Sequence, residues 1–166
     1  MQMCWVVPDL HVAMATWTRA AGVGPFFLFE TVPFEDARYR GKPAEAMNLI
    51  AAIAQAGDVQ IELVCQRDDR PSVFRDLVPM GQAGLHHMAL YCSDYDADLA
   101  AYTGAGAPVV FSCRMMGSRT CWVDTSSTLG FMVELIEANS VADAVFAQFR
   151  AAAQNWDGKQ PVRTLS

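Results

Sequence analysis

The chain has 166 residues, 52% hydrophobic and 18% charged, which describes an ordinary globular protein of one domain or two small modules sharing a core. Its formal net charge of −6 argues against nucleic acid as a partner, because phosphate recognition needs clustered Lys and Arg. No run of roughly 18 apolar residues and no charged stretch ahead of an apolar one marks a membrane span or a signal peptide. In chain order, residues 2–7 read as a short apolar strand, and Asp9 after Pro8 reads as a helix N-cap. His11 to Ala21 is loosely helical, and Gly22 to Pro25 supplies the stop. Phe26 to Val32, rich in Phe and β-branched residues, predicts a strand. Glu35 to Pro43 is polar and reads as a loop. Ala46 to Ala54 has helix-favouring Ala and Met, yet the Gly57-Asp58 turn after it favours a hairpin, so a strand is expected. Val59 to Cys65 closes this first unit.

A connection follows, with a short helical piece from Ser72 to Val78. The second unit then runs strand 85–92, helix 95–103, a Gly104-Ala105-Gly106 stop, and strands near 108–113, 119–124 and 130–137. Val141 to Gln154 is amphipathic, with Val145, Phe146 and Phe149 on one side, a surface open either to a second copy or to its own sheet. Trp156 to Ser166 reads as a polar tail or a partner-contacting arm. The expected organisation is therefore 1–66, a connection at 67–84, 85–138, and a C-terminal helix and tail at 139–166, within a single structural domain. Its fold class is α+β: two tandem βαβββ modules forming a cupped mixed sheet, plus the C-terminal helix. Cys4, Cys65, Cys92, Cys113 and Cys121 are scattered without a C-x-x-C pair, as reduced, packed thiols of a cytoplasmic protein would be.

The two units repeat. Asp94 stands 85 residues after Asp9 (94 − 9), and seven residues before each Asp lie Gln2 and His87, the same distance apart. Gln60-Ile61-Glu62-Leu63-Val64 is echoed by Met132-Val133-Glu134-Leu135-Ile136, each a single carboxylate inside an apolar strand. Such a carboxylate is costly to bury unless it is paired or bound to a metal. Strand alternation puts Gln2, Cys4 and Val6 on one face; His87, Ala89 and Tyr91 line up together, with His86, Met88 and Leu90 opposite. His86 and His11 read as structural or exposed residues.

Val7-Pro8-Asp9-Leu10, Gly24-Pro25-Phe26-Phe27, Val59-Gln60-Ile61-Glu62-Leu63, Gly84-Leu85-His86-His87-Met88-Ala89 and Val133-Glu134-Leu135 together resemble the vicinal oxygen chelate superfamily over roughly residues 2–138. That superfamily includes glyoxalase I, methylmalonyl-CoA epimerase, bleomycin-resistance proteins and extradiol dioxygenases. The Gly-Leu-His-His-Met-Ala stretch looks closest to the methylmalonyl-CoA epimerase branch. By position, the resemblance gives metal-ligand roles to Gln2, Glu62, His87 and Glu134, a donor set suited to a divalent ion such as Zn, Co, Mn or Ni. It implies enolate chemistry on a small carbonyl or acyl-thioester substrate, with Glu134 and Glu62 as the catalytic carboxylates, and a homodimer. A lactoylglutathione-lyase-like or other lyase remains an alternative, as does a metal-free binding protein of the resistance kind. Cys65-Gln66-Arg67 departs from the Thr-His-Asn type of sequence usual in glyoxalase I. A dioxygenase needs two well-placed His residues, and only one is present. Arg38, Arg40, Lys42, Arg114 and Arg119 are candidates for holding an anionic group near the cup, with solvated surface charge as the competing reading. Phe26, Phe27, Phe29, Phe111 and Trp122 are candidates for an apolar lining, with simple core packing as the competing reading.

Overall fold

A computed structural model describes residues 1–165; residue 166, the end of the expected tail, lies outside the described residues. The chain opens with β1 (Gln2–Val6) and enters α1 (Leu10–Ala21), where Asp9 accepts the Val12 N–H at 2.9 Å and Gly22, at φ 66°, closes the helix. β2 (Phe26–Phe29), β3 (Glu35–Tyr39), β4 (Lys42–Pro43), β5 (Leu49–Ala56), β6 (Val59–Gln66) and the short α2 (Val73–Leu77) follow. The second unit holds β7 (Gly84–Cys92), α3 (Tyr95–Gly104), β8 (Val109–Met115), β9 (Ser118–Val123), α4 (Ser126–Leu129) and β10 (Met132–Glu137). α5 (Ser140–Ala153) and β11 (Val162–Arg163) end the described chain. Asp94 caps α3 through the Ala97 N–H as Asp9 caps α1, so the repeated aspartates do the same local work.

All strands join one curved mixed sheet in the order β11-β2-β5-β6-β1-β7-β10-β9-β8-β3-β4. β1 and β7 pair antiparallel at its middle. β6 runs parallel to β1 on one side, and β10 runs parallel to β7 on the other. This is the arrangement that two repeats related by a local two-fold axis produce. One face of the sheet is covered by α1, with Leu10 and Met14 against Ile50, Ala52, Ile61 and Leu63, and by α3, with Tyr95 against Cys121, Val133 and Leu135. The other face receives α2, with Val73 and Phe74 against Cys4, Val6, Phe111 and Trp122, and α5, with Phe149 against Phe27 and Ile53. β5 is buried from Leu49 to Gln55. A strand covered on both faces loses apolar alternation, which is why Ala46–Ala54 looked helical as well as extended.

Two expectations need correction. The polar stretch 35–43 is not a loop: β3 and β4 form a hairpin, and β3 pairs with β8 of the other unit. The pattern was hidden because an edge hairpin exposes both faces, and its residues are mostly exposed. The tail likewise contributes β11, which pairs parallel with β2. To travel from β2 to β3 the chain must cross the inner face, and residues 30–34 form that strap. Phe149 packs 4.9 Å from Phe27, so the aromatic side of α5 lies on its own sheet. No helix among the described residues is long and apolar enough to cross a membrane.

Asp68 ties the end of β6 to the start of β5, accepting N–H groups from Asn48 at 2.8 Å, Gln66 at 2.7 Å and Arg70 at 3.2 Å. Partial burial pushes its carboxyl up, but these bonds outweigh it and hold the carboxyl below its ordinary value. A depressed folded value contributes stability above the unfolded value near ~3.9, lost as pH falls through the folded one. Replacing Asp68 by Asn is therefore expected to flatten the acid limb of the stability curve, measured by urea unfolding at stepped pH below about 4. An unchanged slope would show that Asp68 carries none of it.

Candidate metal centre

Register places the acidic and imidazole groups. Cys4 is the Cα partner of both Glu62 and His87, and Gln2 is the partner of Gln60 and Ala89, which in turn pairs with Glu134. All these side chains therefore rise from one face of the four central strands. His87 Nε2 lies 2.9 Å from Glu134 Oε2 and 3.3 Å from Glu62 Oε2. Cys4 Sγ, a Glu62 carboxylate oxygen and a His87 ring nitrogen sit within 4.8 Å of one another. Gln2 lines the same cavity as Glu62 and Glu134. The structure thus brings Glu62, His87 and Glu134 together, with Gln2 beside them and Cys4 beneath.

The cavity above is apolar. Phe29, Ile53, Met115, Met116, Ile136 and Phe146 wall it, and Thr31, Val32 and Pro33 of the strap close over it. Among the described residues, no Lys or Arg lines it. Arg40 pairs with Asp76 at 3.0 Å, and Arg119 is held by Glu137 and by both oxygens of Asp96. Arg38 and Arg114 bond backbone carbonyls of Gly41 and Gly117, and Lys42 borders a separate groove. Of the aromatic candidates, Phe29 lines the cavity; Phe26 packs on the α1 side, and Phe111 and Trp122 are buried in the core below.

One backbone irregularity overturns the alternation expected for β7. Between Cys4 and Trp5 the partner jumps from His87 to Leu85, so His86 is an extra residue in a bulge. His86 thereby stays on the same side as His87, fully buried, with its ring 4.9 Å from Phe74 of α2. Its Nε2 lies 2.9 Å from the Val73 carbonyl oxygen, and its Nδ1 lies 2.8 Å from Nδ1 of His87. Burial, then the neighbouring His87, push His86 down to about 3, so its ring is neutral. Trp122 Nε1 also approaches His87 Nδ1, at 3.2 Å. Neither His86 nor Cys4 was singled out as a site residue from sequence; Cys4's shared face was legible, but the bulge has no local signature.

Electrostatics tie these groups together. Burial pushes the His87 imidazole down, but Glu134 and then Glu62 carry it up to about 9. Burial pushes the Glu134 carboxyl up, against the pull of His87. Both shifts have one meaning: without a cation, a proton is retained between these groups. Burial first and Glu62 second also push the Cys4 thiol up. Without a cation the imidazolium and the retained proton at Glu134 keep the two carboxylates from standing as adjacent bare charges, whereas a divalent ion with a neutral imidazole balances both of them. The Nε2 of His87 is buried, with carboxylate oxygens 2.9 and 3.3 Å away. One imidazole nitrogen and two carboxylates converging in a buried site are a donor set that fits a divalent cation.

The family model described as the Glyoxalase/Bleomycin resistance protein/Dioxygenase superfamily matches residues 1–121. The chain belongs to this superfamily. No curated protein matches the chain. Among solved structures, methylmalonyl-CoA epimerase from Mycobacterium tuberculosis is 20% identical, covering 86% of this chain and 89% of its own, with a TM-score of 0.57. A Streptomyces coelicolor methylmalonyl-CoA epimerase variant in complex with 2-nitronate-propionyl-CoA is 20% identical over 84% of this chain and 94% of its own, at TM-score 0.54. A hypothetical protein from Bacillus halodurans C-125 is 15% identical over 84% and 93%, at TM-score 0.59. At these identities the likeness concerns the fold, which this superfamily member shares over most of its length.

Removing the imidazole leaves two carboxylates facing each other in a buried site. For the metal-free protein, His87→Ala is expected to lower unfolding free energy by about 3–5 kcal/mol, measured by urea titration in the presence of a chelator. A loss below about 1 kcal/mol would mean that the carboxylates are solvated rather than buried.

Proposed function

We propose that this superfamily member is a metal-dependent epimerase or isomerase that moves a proton beside the carbonyl of a small acyl compound, an acyl-thioester foremost. The observation that carries this reading is the meeting of His87 Nε2, Glu62 and Glu134 at the floor of an apolar cup. In this reading His87, Glu62 and Glu134, with the amide oxygen of Gln2, hold a divalent ion: Zn, Co, Mn or Ni. When bound, such an ion supplies Lewis-acid polarisation of a substrate carbonyl, which acidifies the neighbouring C–H.

The chain's own residues do the rest. Glu62, with a side chain 16% exposed, meets a substrate more openly than Glu134 at 3%. Glu62 takes the proton from one side, and Glu134, entering as the protonated acid that burial favours, gives its own from the other; the two carboxyl groups end with their protonation exchanged, a route to inversion. The apolar walls exclude water, which strengthens the field of both carboxylates on the reacting atoms. The cavity walls among the described residues are mostly apolar, so the acyl portion is recognised by shape and by the centre itself. Likeness to epimerases, one of them carrying 2-nitronate-propionyl-CoA, supports an acyl-CoA substrate. Free, buried cysteines support a reducing, cytoplasmic setting. A lactoylglutathione-lyase-like isomerisation of a hemithioacetal needs the same proton transfer, and Gln2 beside two carboxylates favours it as the second reading.

In deuterated water with one equivalent of divalent ion, the protein is expected to exchange the α-proton of methylmalonyl-CoA, followed by mass spectrometry. Glu62→Gln and Glu134→Gln should each slow exchange by about 10²–10⁴-fold. Exchange confined to the hemithioacetal of glutathione and methylglyoxal would move the assignment to the second reading. Failure with both substrates, together with no metal uptake, would leave a binding protein.

A further inference from the structure

We propose that His86 is a positioning residue: it accepts the Nδ1–H of His87 and thereby leaves Nε2, turned toward Glu62 and Glu134, as the nitrogen whose proton a cation replaces. Its consequence for metal affinity rests on the metal-centre reading above, whereas the proton placement itself does not.

The chain of reasoning starts at a backbone oxygen. The Val73 carbonyl can only accept, so His86 Nε2, 2.9 Å away, must carry a hydrogen. In a neutral ring the other nitrogen, Nδ1, is then bare. That bare Nδ1 lies 2.8 Å from Nδ1 of His87. Two bare nitrogens at this distance would repel, so His87 Nδ1 is the donor. With Nδ1 keeping its hydrogen, the proton that His87 shares with Glu134 and Glu62 is the one at Nε2, and the neutral ring is bare at that nitrogen. A ligating histidine whose other nitrogen donates to a fixed acceptor is held in orientation and tautomer. Here the fixed acceptor is a second imidazole, itself pinned to the start of α2.

The bulge makes this possible. Neighbouring residues on a regular strand point to opposite faces, and His86 would then lie on the α1 side of the sheet. The register slip between Cys4 and Trp5 keeps both rings on the inner face.

A rival exists on the same nitrogen. The Trp122 indole N–H can only donate, and at 3.2 Å it competes for His87 Nδ1. Were it to win, Nε2 would carry the hydrogen and could not ligate, and His86 Nδ1 would face another bare nitrogen. Two bare Nδ1 atoms 2.8 Å apart repel, and that repulsion favours the His86 arrangement over the Trp122 contact at 3.2 Å. Simple packing of His86 on Phe74 is the other explanation, and an apolar ring of similar size would satisfy that equally well.

The test is nitrogen NMR on uniformly ¹⁵N-labelled, metal-free protein. The expected result is a protonated His86 Nε2, a bare His86 Nδ1, and scalar coupling across the hydrogen bond from His87 Nδ1. Coupling between the Trp122 indole nitrogen and a bare His87 Nδ1 would overturn the proposal. In parallel, zinc affinity is measured for His86→Phe and His86→Asn, with thermal unfolding as a check on the fold. His86→Phe should weaken zinc binding by about 10–100-fold, and His86→Asn, which restores an acceptor, should recover part of the loss. Wild-type zinc affinity in a folded His86→Phe would reduce His86 to packing. If His86→Phe fails to fold, the wild-type couplings still decide. Absence of zinc binding by the wild type would count against the functional reading and not against the proton placement.

Discussion

Two carboxylates and one imidazole meet at the floor of an apolar cup, where burial and proximity force them to hold on to protons, and the architecture around them keeps them together. Glu134 and Glu62 approach the same His87 nitrogen from two sides, at 2.9 and 3.3 Å. Solvating either carboxylate from outside would relieve the strain, but the strap at residues 30–34 and the Phe146 edge of α5 limit access. Buried ionic groups are poor stabilisers compared with apolar side chains of the same volume. Their concentration here, under an apolar cup, is therefore a feature that stability alone does not explain.

The sheet explains how distant residues meet. β1 and β7 lie antiparallel at the centre, and each has a parallel neighbour that carries one carboxylate. Repeating the same strand-helix-strand plan about a local two-fold axis therefore brings residues 62 and 134 to opposite sides of the imidazole. Departures from that symmetry shape the cup. The β3–β4 hairpin leaves its own unit to pair with β8, which draws the strap across the inner face. α5 is outside the repeat altogether and supplies one wall.

Much of this was legible in the chain because two periodicities survive in it. The 85-residue offset aligned Gln2 with His87, and apolar strands interrupted by one Glu marked residues 62 and 134. Strand alternation placed Gln2 and Cys4 on a common face, as found. What could not be read has physical causes. An exposed edge hairpin shows no alternation, so residues 35–43 passed for a loop. The two-residue β11 is too short to have a pattern at all. A bulge adds one residue without changing composition, so His86 was assigned to the wrong face. The arginines proposed for substrate found acidic partners distant in sequence: Arg40 with Asp76, and Arg119 with Asp96 and Glu137. Those pairings depend on tertiary approach, which no local reading supplies.

Anomalous diffraction from crystals grown with zinc, recorded on both sides of the zinc edge, tests the central claim most directly. The account predicts a single strong peak about 2.0–2.2 Å from His87 Nε2 and from carboxylate oxygens of Glu62 and Glu134. A well-ordered site with no anomalous peak there, or with zinc only on surface side chains, would contradict it.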